Sequence, residues 1–426
     1  MFEWFTSLSK SEKRTFWACF SGWGLDAMDT QMYALAIPTL IALWAMSKGQ
    51  AGILGTAVLV MAAIGGWIAG ILADRYGRVR LLQLTIIWFA AFTFLSAFTH
   101  SFWQLMFTRS LQGIGFGGEW AVGSVLISET IGSSVRGRVV GAIQAGWAVG
   151  YGLAVLLSTV LFSTLPEDVG WRVLFGLGLL PALLIIWIQR SIVEPPLFST
   201  ENADAKNASV WEVFEEPHLA TTLTAMLLTF GIYGGNYVMI TWLPAYLKLV
   251  LHLSIANVGG YLAINILGSF TGAFLNGWMA DTFGRRMTFM IIACCQAIAV
   301  AVYTLAPINL RATLILGFVL GTLQSGVAAG TGAFIAELFP TRIRGSAQGL
   351  CGNAGRALGA VMPSMVGVLS SRMKLGTAMG SCACVTYLLV VVAAFLLPET
   401  KGRDLSTFKG ASQPIHQLGK ISAREE

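Results

Sequence analysis

Five charged side chains lie inside long apolar stretches of the sequence: Asp26, Asp29, Arg109, Glu119 and Arg356. If these stretches cross a membrane, each charge is costly. A charge at the bilayer centre costs at least about 2.5–3.5 kcal/mol on insertion scales, so it normally faces a cavity or a partner of opposite charge. Carboxylates placed there can bind and release protons, and an arginine can bind an anion. The five residues are therefore the first candidates for a function.

The acids and Arg109 have a spacing that suggests one network. Asp26 and Asp29 are three residues apart and share one face of a helix, and Tyr33 lies one further turn along it. Arg109 and Glu119 are ten residues apart, about 15 Å along a helix axis, and need not share a face. We predict a proton-binding network of Asp26, Asp29, Glu119 and Arg109, in which Arg109 can pair with Asp29. The alternative is a static ion pair that only holds helices together.

Arg356 stands near the middle of a late apolar stretch, with no acid at a similar depth in its half of the chain. A substrate carboxylate would supply the missing charge with bidentate geometry. Snorkelling, or pairing with helix carbonyls, is the alternative. Polar and aromatic side chains on other stretches are candidate contacts of the same ligand, although each could equally serve helix packing: Tyr33, Gln144, Tyr233, Asn236, Tyr237, Asn265 and Asn353.

The composition identifies the elements that must position these residues. The chain has 426 residues, of which 55% are hydrophobic and only 11% charged, and its mean hydropathy is +0.71. Soluble domains are about 25% charged, so a soluble enzyme, a disordered chain and a collagen-like repeat are excluded. Apolar runs such as 53–71 and 385–397 are continuous, which indicates membrane helices and not alternating barrel strands. The six cysteines and four histidines show no metal-ligand spacing, so we expect neither a metal nor a cofactor.

Breaks at charge clusters and turn residues divide the chain into twelve predicted helical spans. Their predicted bounds are 16–44, 51–73, 80–99, 102–130, 138–163, 171–190, 219–247, 256–280, 287–306, 311–338, 343–371 and 375–398. The longest polar loop between spans separates the sixth from the seventh. We therefore predict an all-α membrane protein with a six-helix half at 1–190, a cytoplasmic linker at 191–218, a second six-helix half at 219–398 and a cytoplasmic tail at 399–426.

The basic residues indicate how the chain is oriented. Most of the 27 lysines and arginines fall on the side of the membrane that holds both termini. Cytoplasmic loops carry an excess of these residues, so both termini are predicted to be cytoplasmic. The net charge of +6 follows from the same rule, and no nucleic-acid partner is needed to explain it.

The two halves contain the same landmarks. Segment 70–78 recurs at 277–285, displaced by 207 positions, and a glutamate followed seven residues later by Arg-Gly recurs with a displacement of 208. This indicates a duplicated unit with its axis along the membrane normal. We predict positive φ at Gly77 and Gly284. The repeated residues are candidates for gating at helix ends: Gly70, Asp74, Arg75, Gly77, Arg78, Asp281, Gly284, Arg285, Glu129, Arg136, Glu337 and Arg344.

The repeated segments, GILADRYGRVR and GWMADTFGRRM, resemble the loop signature of the major facilitator superfamily. RSLQGIGFGGEW in the fourth span, ELFPTRIRG after the tenth and PETKG after the twelfth are also typical of it. The resemblance covers nearly the whole chain. Segment 25–29 is similar to the paired-aspartate motif of the aromatic-acid and sialate/lactate proton symporters, with Ala27 where these often have glycine. Segment 355–363 resembles the same group.

The resemblance implies a secondary transporter that works by alternating access. We expect proton-coupled import of a small organic monocarboxylate, such as an aromatic acid, a sialate or a lactate-like acid. We also expect a monomer in the plasma membrane, in this case the bacterial inner membrane. Import of a sugar or polyol, efflux of amphipathic compounds and a non-transporting sensor remain alternatives. A membrane enzyme is not supported, because no set of nucleophile, base and orienting group is visible.

Overall fold

The computed structural model describes residues 3–6, 8–131, 133–180, 210–307, 309–340 and 343–401. Within these ranges all regular structure is helical. Short helical pieces lie at Glu3–Thr6, Leu177–Leu179 and Val210–Phe214. Most of the predicted linker at 191–218 lies outside the described residues.

The long helices agree with the predicted spans, and the all-α prediction is confirmed. The sixth predicted span is described only as far as residue 180. The helices are α1 Lys10–Trp44, α2 Lys48–Tyr76, α3 Arg78–Ser96, α4 Phe102–Thr130, α5 Ser133–Thr164, α6 Glu167–Gly176, α7 Leu219–Leu249, α8 Ile255–Phe283, α9 Arg285–Leu305, α10 Leu310–Ala329 with Thr331–Leu338, α11 Arg344–Gly359 with Met362–Leu369, and α12 Leu375–Leu396.

The helices that carry the candidate charges are the less apolar ones. Among the described residues, 8 helical segments are long and apolar enough to cross a membrane by length and composition. They fall in α2, α3, α5, α7, α8, α9, α10 and α12. Helices α1, α4 and α11 are not among them, and they carry the five charges identified above. These three helices therefore depend on partners inside the bundle to hold their polar groups away from lipid.

The duplication predicted from the sequence appears in the local geometry. Helices α2 and α8 are both 29 residues long. Each begins after a serine, Ser47 or Ser254, whose side chain accepts a hydrogen bond from the backbone N–H three residues later. Each ends at a glycine with positive φ, +95° at Gly77 and +92° at Gly284. The predicted positive φ is confirmed at both positions, where a side chain would be strained.

The two halves meet at the end of the bundle opposite the chain termini, between the start of α2 and the second segment of α11. Thr56 Oγ1 and Ser364 Oγ are 2.7 Å apart. A Cβ at Gly52 would lie 2.5 Å from the carbonyl oxygen of Pro363, and one at Gly367 would lie 2.5 Å from that of Lys48. Glycine at these positions lets the two backbones touch. We call this contact, between 48–56 and 363–367, the closed end.

Candidate functional site

Asp29 and Arg109 form a buried ion pair between α1 and α4, as predicted. The Arg109 Nη1 lies 3.1 Å from Asp29 Oδ1 and 3.2 Å from Oδ2. Thr93 on α3 donates to Oδ1 at 2.6 Å, and Gln112 on α4 donates to Oδ2 at 2.6 Å. Both charged side chains are 1% exposed. The carboxylate is therefore neutralised by Arg109 and hydrogen-bonded by side chains of two helices of the same half, α3 and α4.

Aromatic rings cover the guanidinium of this pair. Arg109 Cζ lies 5.3 Å from the ring centre of Phe175 and 5.8 Å from that of Tyr33, within the range of cation–π attraction. The Tyr33 hydroxyl donates to the carbonyl oxygen of Ala51 at 2.6 Å. Tyr33, predicted as a substrate contact, therefore packs between α1 and α2 in this conformation and faces Arg109.

Asp26 and Glu119 form a second, separate pair between α1 and α4. Both side chains are buried, at 0% and 3% exposure, and the Glu119 carboxyl lies against Gly22, one helical turn before Asp26 on the same face of α1. The predicted four-residue network is thus divided in two. One pair is charge-balanced, whereas the other consists of two acids.

Arg356 lies in the last turn of the first segment of α11, next to the break before Met362. Its guanidinium is 5.5 Å from the ring centre of Tyr233 and also lies close to Tyr237. These two rings stack along α7, with centres 6.0 Å apart. No described acid forms an ion pair with Arg356 within 4.0 Å. The C-terminal end of the helix segment stabilises the cation.

Three of the predicted substrate contacts, all asparagines, have other surroundings in this conformation. The side-chain oxygen of Asn236 accepts a hydrogen bond from the Tyr387 hydroxyl at 3.0 Å, between α7 and α12. Asn265 donates to the carbonyl oxygen of Gly317 at 3.0 Å, between α8 and α10. Asn353 is exposed. Asn236 and Asn265 therefore connect helices within the second half, and neither contact involves Arg356.

At the end of the bundle that holds the chain termini, Arg285 connects three helices of the second half. It contacts Asp281 at 3.0 Å and both oxygens of Glu337 at 3.4 Å. Thr400 donates to Glu337 at 2.5 Å. Asp281 is 79% exposed and Glu337 only 15%. Because exposed ion pairs contribute little, Glu337 is the stronger partner. The Arg344 Nε donates to the nearby Ala336 carbonyl at 2.9 Å.

Glu399, which the sequence reasoning did not single out, caps α9. Its carboxylate accepts hydrogen bonds from the backbone N–H groups of Arg285 at 2.8 Å and Arg286 at 3.1 Å. These are unsatisfied donors at the positive end of the helix dipole. A Cβ at Gly284 would lie 2.6 Å from the Glu399 Oε2, so this glycine is needed for the cap as well as for the turn. The sequence signal that could have identified Glu399 was the PETKG segment at 398–402.

Several candidates in the first half have side-chain positions that lie outside the described part of the structure. They are Gly70, Asp74, Arg75, Arg78, Glu129, Arg136 and Gln144. Their roles remain predictions from the sequence.

The geometry and the sequence agree with a known family. A model of the Major Facilitator Superfamily matches residues 19–275 and 225–425. The chain belongs to the major facilitator superfamily. Its relatives are membrane transporters, so the chain is a transporter and not an enzyme.

Individual relatives cover almost the whole chain. It is 41% identical over 403 residues to the probable 4-methylmuconolactone transporter of Cupriavidus pinatubonensis, with 94% of each chain covered. It is 30% identical over 390 residues to the cis,cis-muconate transport protein of Acinetobacter baylyi, with 88% of this chain and 92% of that one covered. The solved structure of a D-xylose-proton symporter has a TM-score of 0.77 at 19% identity, with 92% and 99% covered. The two sequence relatives are named as transporters of 4-methylmuconolactone and of cis,cis-muconate, and the structural likeness shows the fold.

The Arg285 cluster allows a matched test of gating in this transporter. Glu337→Gln removes the charge of the more buried partner, and we expect the transport rate to fall about ten-fold, which corresponds to about 1.4 kcal/mol. Equilibrium substrate affinity should stay within a few-fold, because the cluster lies away from Arg356. Asp281→Asn is the control, and its exposed pair should change the rate by less than about two-fold. A large affinity loss in Glu337→Gln with a normal rate of exchange would indicate a binding role instead.

Proposed function

We propose that this transporter imports a small organic monocarboxylate together with protons, by alternating access. The observation that carries the proposal is the setting of Arg356. This guanidinium lies beside two tyrosines without an ion-pair partner among the described acids. A single carboxylate would neutralise it, and the planar fork of arginine suits bidentate binding.

The names of the relatives support the substrate class. One names a muconolactone, which carries one carboxylate and a lactone ring, and the other names muconate, which carries two carboxylates. The relative of higher identity and the single Arg356 favour one carboxylate. The sugar alternative rested on the PETKG segment. In this structure that segment provides the Glu399 cap of α9, which is a role independent of the substrate.

Proton coupling is supported by the three buried acids on α1 and α4. A carboxyl group whose surroundings change between two conformations binds and releases a proton as the protein alternates. The proton gradient would then supply the energy, and no cofactor is required. The protein acts as a monomer in a bacterial inner membrane with both termini in the cytoplasm. In that orientation the closed end faces outwards.

Uptake into proteoliposomes tests the proposal. Purified protein is reconstituted, and accumulation of a muconolactone, an aromatic monocarboxylate, the matching neutral amide and xylose is followed with and without an inward proton gradient. We expect accumulation of the acids, dependent on the gradient and abolished by a protonophore. Protein-free vesicles are the control. Equal accumulation of amide or sugar, or accumulation indifferent to the gradient, would contradict the proposed function.

Alternating access requires the closed end to open. In the variant Thr56→Cys with Ser364→Cys, the two sulfur atoms would lie where hydroxyls are now 2.7 Å apart, so oxidation should form a disulfide. We expect the oxidised protein to lose at least about nine-tenths of its transport and to recover it on reduction. The two single-cysteine variants control for the substitutions. Full transport by the cross-linked protein would contradict this role of the closed end.

A further inference from the structure

Asp26 has an unusual environment for a buried acid. Neither of its carboxyl oxygens is reached by an N–H or O–H donor among the described residues. The Glu119 carboxyl lies against Gly22, one helical turn away on the same face of α1, and it is the charged neighbour that acts most strongly on Asp26. Two neighbouring carboxylates that are both ionised repel each other strongly. One shared proton turns such a contact into a short, charge-assisted hydrogen bond.

Gly22 makes this contact possible. It lies one helical turn before Asp26 on the same face of α1. A Cβ built at Gly22 would collide with the Glu119 Oε1, and it would lie 3.3 Å from the Cδ atom. The missing side chain therefore leaves a niche in α1 that receives the Glu119 carboxyl and directs it at Asp26.

The surrounding charged groups separate this pair from Asp29. Asp29, on the same helix, is already neutralised by Arg109 of α4 and hydrogen-bonded by Thr93 and Gln112. From the other half, Arg356 of α11 lies within electrostatic range of Asp26. Cys19 of α1 is near Glu119. The two acids are therefore distinct from the Asp29–Arg109 ion pair, and Asp26 is influenced by the charge of Arg356 in the other half.

We propose that Gly22 is a positioning residue that seats Glu119 against Asp26, so that the two carboxyls share one proton and this pair, not Asp29, carries the coupled proton. The inference rests on the proposed function. With one proton the pair bears one negative charge, which is attracted to the positive charge of Arg356. When a substrate carboxylate takes its place at Arg356, the pair binds a second proton and becomes neutral. Proton and substrate thus favour each other's binding.

The charge balance predicts the stoichiometry. One carboxylate and one proton enter together, so transport of a monocarboxylate is electroneutral. An imposed membrane potential should leave the rate unchanged, whereas a pH gradient should drive accumulation. Above the pH at which the pair loses its second proton, the dissociation constant of the substrate should rise about ten-fold per pH unit.

The test compares substrate affinity from pH 5 to 8 by isothermal titration calorimetry, using an aromatic monocarboxylate and detergent-solubilised protein. Gly22→Ala should displace Glu119 and flatten the pH dependence, while the affinity at pH 5 stays within a few-fold of wild type. Gly152→Ala, at a position with nothing within 4 Å of the added Cβ, is the matched control and should keep the full slope. Glu119→Gln fills the same space and should also flatten the slope, which covers the case in which Gly22→Ala does not fold.

Three outcomes would overturn the inference. If Glu119→Gln keeps the full pH dependence, or if wild-type transport responds to membrane potential, the pair is not the proton carrier. If acids are still taken up in response to the proton gradient in the same vesicles, the proposed function holds although the inference fails. If wild-type uptake does not respond to the proton gradient, both the inference and the proposed coupling fail.

Discussion

Arg356→Gln should lose most of the preference for a carboxylate over the neutral amide of the same shape. The guanidinium is the unpaired cation among the described groups around Tyr233 and Tyr237, so it is the group that can distinguish the two ligands. Losing a buried charged contact costs about 2–5 kcal/mol, or roughly 30- to several-thousand-fold in affinity for the acid. Binding of the amide should change little. Equilibrium titration with both ligands measures the effect.

Lysine at the same position should not restore the preference. Its point charge on a flexible stem cannot reproduce the bidentate fork of arginine. Arg372→Gln is the control, because this arginine is exposed beyond the end of α11 and its loss should leave both affinities unchanged. If Arg356→Gln keeps the full discrimination between acid and amide, Arg356 is structural and Arg109 becomes the next candidate for the anion site.

Asp29→Asn should abolish transport by a different route, because it leaves Arg109 buried without a counter-charge. Removing one partner of a buried ion pair typically costs about 3–5 kcal/mol. The new amide N–H groups would also oppose the donors of Thr93 or Gln112. We expect a lower midpoint of thermal unfolding together with loss of gradient-driven accumulation. Thermal unfolding in detergent and uptake into vesicles provide the two measurements.

A double variant distinguishes loss of the pair from loss of a proton site. Asp29→Asn combined with Arg109→Gln removes both charges, so much of the thermal stability and of the gradient-driven accumulation should return together. Asp26→Asn, in contrast, should keep wild-type stability and substrate exchange but lose accumulation driven by the gradient. Normal stability of the single Asp29→Asn variant would contradict the structural role given to the pair.

The spans and the duplication could be predicted from the sequence because their signals are local. A long apolar run specifies a membrane helix wherever it packs. Segment 70–78 and its copy place Gly77 and Gly284 at turns whose positive φ only glycine adopts readily. The pairing of Asp29 with Arg109 was also within reach, because few charges lie inside the spans and opposite charges must meet there.

The tertiary structure decided which face of each helix meets which neighbour. Asp26 and Asp29 share a face on α1, yet Asp29 meets Arg109 and Asp26 meets Glu119. The niche at Gly22 and the hydrogen bond from the Tyr33 hydroxyl to the Ala51 carbonyl oxygen depend on the same packing. Such contacts join segments that are up to about a hundred residues apart, and they depend on helix rotation and crossing, which ridges and grooves set only when both surfaces are present. The periodicity of one segment shows that a face is polar, but only the packed bundle determines what that face touches.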